Sequence, residues 1–459
     1  MESDEASQGI TASDATGDLP YPVESRIPTD ILELIFEAGA LHAQRQISTV
    51  PKTIEIVVSH VNKRWREVAV NLAALWSFIR ASPFEGLDKL ETYFERSKGH
   101  GLRVCLFAYR AYWAPDIVER MRPHMHRIRR FHLVTDFIQS SPTICSHFMH
   151  FDMPSLECFL YTPLDVNNFN EPPGPSLLPF TQELPLLSSI RLNGPTLHLI
   201  RPPFSRVSQL CLTEERFPIP FRSICEILHS CGSLVKFAFS GHTQRPHRRL
   251  ATSLDIVPFT LPELRYLILS NGGNSDVILS AMTAPKLCAL RLNYFEEDDL
   301  GHFLQLSQIS KFPVLESLYF LDNAFSINEY HDIARIFPAI RTLSCINSSY
   351  TDELLEFLVP LLTSGSVTHM PWPNLGTLLF NQAQFQEKHQ QMLCTLVSAR
   401  VVLRAPILNL FLGLANRLLL DTERLDWLRE RLRVDERWEM LEDEELRLLG
   451  AFAGDANIC

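Results

Sequence analysis

The chain has 459 residues, 46% of them apolar and 21% charged, with a formal net charge of −11. A length on that scale exceeds what one compact core accommodates, so two or more structural units are expected. The apolar fraction excludes wholesale disorder, and the acidic balance excludes a general binder of nucleic-acid phosphates.

In chain order, residues 1–25 hold Glu2, Asp4, Glu5, Asp14 and Asp18 among Ser, Thr and Gly. This stretch carries too little apolar surface to offset ordering entropy and lacks the apolar core of a secretory leader, so we expect a disordered acidic tail. Order is expected from Ile27-Pro28, with Thr29 or Asp30 capping a helix that carries Ile31, Leu32, Leu34, Ile35 and Phe36. The polar segment Ala38 to Thr53, with Pro51, reads as an extended, partly helical connection. A second helix is expected from about Ile54 to Val70, with Val57, Val61, Trp65, Val68 and Ala69 on one face. Leu72 to Ile79, containing Leu75-Trp76, is expected to close this small helical unit. Alone such a unit is marginal, which points to a partner.

Beyond residue 100 a short phrase recurs: an apolar residue, two variable ones, an apolar, a variable, an apolar. It stands in Ile128–Leu133, Leu187–Leu192, Val207–Leu212, Leu234–Phe239, Leu264–Leu269, Leu287–Leu292, Leu315–Phe320, Ile340–Cys345 and Leu375–Phe380, with weaker copies from Leu102 and Leu156. Copies lie about 27 residues apart, the spacing of leucine-rich repeats. A proline two or three residues ahead recurs, as at Pro154, Pro185, Pro262, Pro285, Pro313, Pro338 and Pro373. Each phrase reads as a short strand with one face buried, and the intervening residues as a helical or irregular return. No unit can bury its face alone, so units must stack. The standard asparagine of the repeat is mostly missing, so the array is degenerate. Asp421 to Leu449, with Leu425, Leu428, Leu432 and Trp438, is expected to form a helical cap. Its acidic cluster Glu442–Glu445 reads as a solvated face.

In strands of this kind the variable positions share the unburied, concave face. They give a candidate substrate surface of Arg130, His132, Arg191, Asn193, Gln209, Lys236, Tyr266, Arg291, Asn293 and Tyr319. Such a surface is mildly basic and aromatic on an acidic chain, and an acidic or phosphorylated protein segment is the ligand it would suit. A second basic spot, His242 to Arg249, reads as a solvated loop.

The ten cysteines form no Cys-x-x-Cys pair, which fits reduced thiols in the cytoplasm or nucleus. The apolar run Ala405–Leu420 is broken by Asn409, Asn416 and Arg417, so no membrane span is expected. The sequon at Asn347 has no expected consequence without a secretory route. Phosphate-binding loops, nucleophile elbows and zinc-protease motifs are absent from the text. The pairs His124/His126 and His147/His150 lack the further ligands a metal needs. Neither catalytic residues, a metal nor a cofactor is expected.

The text Ile27-Pro28-Thr29-Asp30-Ile31-Leu32-Glu33-Leu34-Ile35-Phe36, then Val61-Asn62-Lys63-Arg64-Trp65-Arg66-Glu67-Val68-Ala69, then Leu75-Trp76, resembles the F-box family. The likeness spans roughly residues 26 to 80. It departs at Ile27 for the opening Leu, at Asn62 for the usual Cys, and in a longer connection between the helices. An F-box joined to leucine-rich repeats implies a substrate receptor of a Skp–cullin–F-box ubiquitin ligase. Its partners would be a Skp-type adaptor, through that a cullin, and a protein substrate. By matching positions, Ile27, Pro28, Leu32, Ile35, Val61 and Trp65 would serve the adaptor interface or the small core behind it. Trp76 would be core. The expected architecture is α/β: a tail over 1–25, an all-α F-box module over 26–80, a degenerate leucine-rich-repeat solenoid or horseshoe over 100–400, and a helical cap and tail over 401–459. Two other readings stay open: an interaction scaffold with no ligase role, and an enzyme whose site lies on the repeat face.

Overall fold

A computed structural model describes residues 27–45, 54–82, 86–108, 114–137, 144, 147, 152–165, 184–193, 203–244, 258–270, 275–296, 299–306, 311–346, 351–359, 361–363, 366–381, 386–413 and 422–435. The chain divides into two compact units, Met1–Trp76 and Ser77–Cys459. The acidic tail, the sequon and the cluster Glu442–Glu445 lie outside the described residues.

In the first unit, helix α1 (Thr29–Arg45) buries Leu32, Phe36 and Ala40, one residue per turn. It continues well into the stretch expected to be a loop. Gly39 permits a close approach, since a Cβ there would lie 3.0 Å from Ile54 Cδ1. The single helix expected over 54–70 is instead two, α2 (Ile54–Ser59) and α3 (Lys63–Asn71). Asn62 is the reason. Its backbone is extended (φ −157°, ψ 176°), and its side chain accepts the Trp65 N–H at 2.8 Å, capping α3. The apolar period runs through the break, so periodicity alone does not reveal it. A 3-10 turn, Ala73–Trp76, then buries Leu75 and Trp76, and the indole of Trp76 donates to the Ala69 carbonyl at 2.8 Å.

The second unit is mixed α/β, built on one parallel sheet of fourteen strands. These are β1 (Phe78–Ala81), β2 (Leu102–Ala108), β3 (Ile128–Phe137), β4 (Cys158–Asp165), β5 (Ser189–Asn193), β6 (Gln209–Pro220), β7 (Lys236–Gln244), β9 (Tyr266–Ser270), β11 (Ala289–Asn293), β12 (Ser317–Leu321), β13 (Thr342–Ile346), β16 (Thr377–Asn381), β17 (Asn409–Leu412) and β18 (Arg433–Asp435). Two short pairs stand apart: β8 (Phe259–Thr260) with β10 (Met282–Thr283), and β14 (Leu361–Thr363) with β15 (Ser366–His369). In the large sheet each strand pairs with the next in chain order, so the order never reverses.

Two boundaries differ from expectation. The sheet opens at Phe78, inside the stretch expected to finish the helical module. At the other end, Thr422–Arg429 is helical as expected, but β18 follows and pairs with β17. The array therefore extends through residue 435 instead of ending near 400. The short alternation Phe78–Ala81 and the charge density after Asp421 hid both end strands.

The repeated phrase and its proline have one structural cause. The residue opening the phrase donates its N–H to the carbonyl three residues back: Leu156 to Met153 (3.0 Å), Leu187 to Leu184 (3.2 Å), Leu264 to Leu261 (3.3 Å), Leu287 to Ala284 (3.1 Å) and Leu375 to Trp372 (2.9 Å). In all five the proline occupies the second position of a tight turn, which its fixed φ suits. The turn delivers the chain into the strand.

The inner face of the sheet meets the helical returns. Phe320 on β12 lies 6.0 Å from Tyr330 of helix Ile327–Ile336, Tyr330 lies 5.7 Å from Phe357 of helix Thr351–Leu358, and Phe357 lies 5.4 Å from Trp372. This aromatic chain links successive repeats, each contact adding ~0.5–1.5 kcal/mol beyond burial. Asn323 supplies a polar tie of the same kind. It is fully buried, accepts the Phe295 N–H at 2.8 Å and donates to the Leu292 carbonyl at 2.9 Å. Arg400 of helix Glu387–Val402, also fully buried, donates to the Pro371, Trp372 and Leu375 carbonyls, and burial lowers its pKa to about 10.

Candidate partner-binding surfaces

The first unit exposes a second apolar stripe. Leu32 and Phe36 point inward, while Ile31, Leu34, Ile35 and Leu41 recur at helical spacing on another side of α1 and are exposed. Ile56 and Val57 on α2, and Val61 in the turn before α3, are exposed as well. Leu34 reaches 61%, Ile35 49% and Val61 47%. Seven of the thirteen exposed large apolar side chains among the described residues thus fall within this one short unit. A helix with apolar residues on two sides has more surface to cover than its own unit covers.

The six positions carried over by resemblance are divided by this geometry. Ile35 and Val61 are exposed, and so is Pro28, whose carbonyl accepts the Leu32 N–H at 3.1 Å. Ile27 is half-buried, and its carbonyl accepts from the Arg64 guanidinium, tying the start of α1 to α3. Leu32 has no exposed surface, which places it in the core and not at an interface. Trp65 is half-buried, its ring centroid 5.1 Å from that of Phe36 in an edge-on arrangement, and its indole N–H is buried without an acceptor. Ile31, Leu34, Leu41, Ile56 and Val57 complete the exposed set. The family pattern did not single these five out, although the i, i+3, i+4 spacing of Ile31, Leu34 and Ile35 on α1 was there to read.

On the sheet, pleat alternation puts the named variable residues on one face, opposite the aromatic core. The strand register lines them up in rows. One row runs Arg103–Arg130–Cys158–Ser189–Gln209–Lys236–Tyr266–Ala289. The next runs Arg80–Cys105–His132–Leu160–Arg191–Cys211 and on through Ala238, Ile268, Arg291 and Tyr319. Accessibility varies along them. Arg130 is exposed, and Gln209, Lys236, Tyr266, His132 and Asn193 are half-buried. His132 Nε2 lies 3.0 Å from Thr162 Oγ1, to which Asn193 Nδ2 also donates at 3.2 Å. The ammonium of Lys236 sits 5.6 Å from the Tyr266 ring centroid, and burial lowers its pKa.

Arg191, Arg291, Asn293 and Tyr319 are buried, at 6–8% exposure. Arg291 Nε donates to Asn293 Oδ1, and Asn293 Nδ2 to Ser270 Oγ, both at 2.9 Å. Cys211, Ala238 and Ile268 between the two arginines join Ala289 and Tyr319 in an apolar cluster backed by Tyr266. Variable positions were expected to be open to solvent, but neighbours 4.8 Å or so away on both sides close over the central rows. Reversing the charge of Arg191 or Arg291 would therefore bury a carboxylate and disturb the sheet itself. Two cations on this face escaped the sequence reading, Arg80 and Arg103. The strand of the first, four residues long, is too short to show a period, and the phrase of the second is a weak copy.

The histidine pairs resolve in part. His124 stacks on Phe94 at 4.2 Å, and its pKa is lowered by burial and then by Arg127. That is a packing role. His150 lies outside the described residues, as do Arg245 to Arg249 of the basic spot. Among the described residues no group of three or more His, Cys, Asp or Glu could hold a metal ion, and no helix is long and apolar enough to cross a membrane. No family model and no curated protein matches this chain.

Proposed function

We propose that this chain is a non-catalytic substrate receptor of a Skp–cullin–F-box ubiquitin ligase. In this reading the first unit is an F-box that docks a Skp-type adaptor, and the second is a degenerate leucine-rich-repeat solenoid that holds a protein substrate. The observation that carries it is the second apolar stripe of α1, continued by Ile56, Val57 and Val61. These residues lie in the segment that resembles the F-box. They supply what a docked helix or strap needs: apolar anchors on a preformed helical surface. The parallel sheet, one strand per repeat with a proline turn before most of them, supports the reading of the second unit.

The test is co-expression with a Skp-type adaptor and pull-down, comparing the native chain with a Leu34→Glu, Ile35→Glu variant. Both positions are exposed, so the variant should keep its helical signal. Retention by the native chain and loss by the variant is the expected result. A native chain that leaves the adaptor behind would remove the F-box reading. Recovery of a cullin in the same complex separates a ligase receptor from a scaffold.

A further inference from the structure

The three outward positions of the sheet strands from β1 to β17 hold Arg80, Arg103, Arg130, Arg191, Lys236 and Arg291, and not one Asp or Glu. Chance does not favour this in a chain with 53 acidic and 42 basic residues. Carboxylates are found instead ahead of the strands, one position before at Glu157 and Glu316 and three before at Glu263, where each meets a neighbour's cation. Glu157 lies 3.6 Å from Arg129, Glu263 2.7 Å from Lys286, and Glu316 3.4 Å from Arg341. The cations also divide the face. All six stand between β1 and β11, Arg130 exposed, Arg80, Arg103 and Lys236 half-buried and Arg191 and Arg291 buried, whereas Ile346, Leu379, Leu321 and Phe411 make an apolar patch over β12 to β17.

We infer that this face binds an acidic polypeptide segment laid across the strands, its carboxylates over β1 to β11 and adjoining apolar residues over the Leu379 patch. The inference rests on reading the second unit as a substrate-binding array and names the substrate class. Like charges opposed on neighbouring strands destabilise a sheet, and Arg103 and Arg130 are register partners. Burial, then the Arg130 charge, lowers the Arg103 pKa, while Glu157 works against both. A carboxylate laid between the two guanidinium groups relieves that repulsion, and Arg80, 5.1 Å over the Phe107 ring, is positioned on the adjacent row. At about 4.8 Å per strand, β1 to β11 spans roughly 38 Å, the reach of about a dozen extended residues, and the apolar patch takes roughly six more.

The probe is a fluorescent peptide of about 18 residues, Glu and Ser over its first two thirds and Leu and Phe in the rest. Controls are the same peptide with Lys for Glu, and an oligothymidylate of similar length. With the full chain, anisotropy should show binding of the acidic peptide that weakens as salt rises, and at least ten-fold weaker binding (on the order of one decade) by an Arg80→Gln, Arg103→Gln, Arg130→Gln variant. The single variant Lys236→Gln, far from those strands, should weaken binding to a lesser degree and guards against a misfolded triple variant. Equal binding of the acidic and Lys peptides, tighter binding of the oligonucleotide, or unchanged affinity in both variants would overturn the inference. The two proposals fail separately. Acidic-peptide binding by a chain that captures no adaptor leaves this inference standing and ends the F-box reading, and the converse result ends this inference alone.

Discussion

Leu32 and Leu34 stand two residues apart on α1, one without exposed surface and the other 61% exposed, whereas Leu267 and Leu269 stand two apart on β9 and are both fully buried. The helix turns its second leucine away from the unit; the strand returns its second leucine to the same inner face. In the sheet unit each strand pairs with its neighbours in the sheet, and the inner leucines of adjacent strands cover one another. In the helical unit three helices and one 3-10 turn leave seven large apolar side chains exposed among the described residues. The difference is one of geometry: successive parallel strands cover one another in the sheet unit, and the helical unit leaves part of its apolar side chains exposed.

The sharpest way to break this comparison is to open the stacked side. Trp372 is 1% exposed, packs edge-on against Phe357 at 5.4 Å, and donates its indole N–H to the Phe337 carbonyl at 2.9 Å. Trp372→Ala removes both, and should cost ~3–5 kcal/mol in urea-induced unfolding followed by tryptophan-independent circular dichroism. A cost below ~1 kcal/mol would mean that the aromatic chain does not bind the repeats together.

The next test sits within α1 itself. Leu32→Ala should cost ~2–5 kcal/mol and release amide protection across α1 to α3 in hydrogen exchange. Leu34→Ala should stay within ~0.5 kcal/mol and leave protection unchanged in the isolated chain. Equal losses from both would show that Leu34 is held by packing and would erase the contrast between inner and outer stripes.

Much of this was legible before the structure. The phrase at about 27-residue spacing located most strands, because a strand with one buried face writes its period of two into the text. The same rule put Arg130 and Lys236 on the outward face. It missed β1, β17 and β18, where three or four residues are too few to show a period, and it missed the break at Asn62, where one hydrogen bond to Trp65 outweighs an uninterrupted apolar pattern. Leu32 shows the limit of reading by resemblance: the pattern marks a position as important without saying on which side of the helix it lies. Burial of Arg191 and Arg291 was beyond reach for a different reason. Closeness of adjacent strands, not local sequence, decides how much of an outward side chain remains open.

The smallest expected effect concerns how consecutive returns are fastened at the surface. Asp352, on helix Thr351–Leu358, meets Lys388 at 2.9 Å and His389 Nε2 at 2.6 Å on helix Glu387–Val402. His389 Nδ1 accepts the Gln386 N–H at 2.9 Å, so the ring's proton sits on Nε2, facing the carboxylate. The Lys388 hydrogen bond holds the Asp352 carboxyl below its ordinary range, against the upward pull of burial, with His389 adding to the lowering. A depressed carboxyl pKa contributes stability that is present above the unfolded value, about 4, and is lost as pH falls through the lower folded value. Asp352→Asn should therefore flatten the acid limb of the stability profile below pH ~4, moving the acid-unfolding midpoint by about a few tenths of a unit, because the pair is largely solvent-screened. An acid limb identical in native and variant chains would show that the two helices are held by their buried faces alone. The contrast between the units would then rest wholly on apolar packing, with no contribution from charge at the surface.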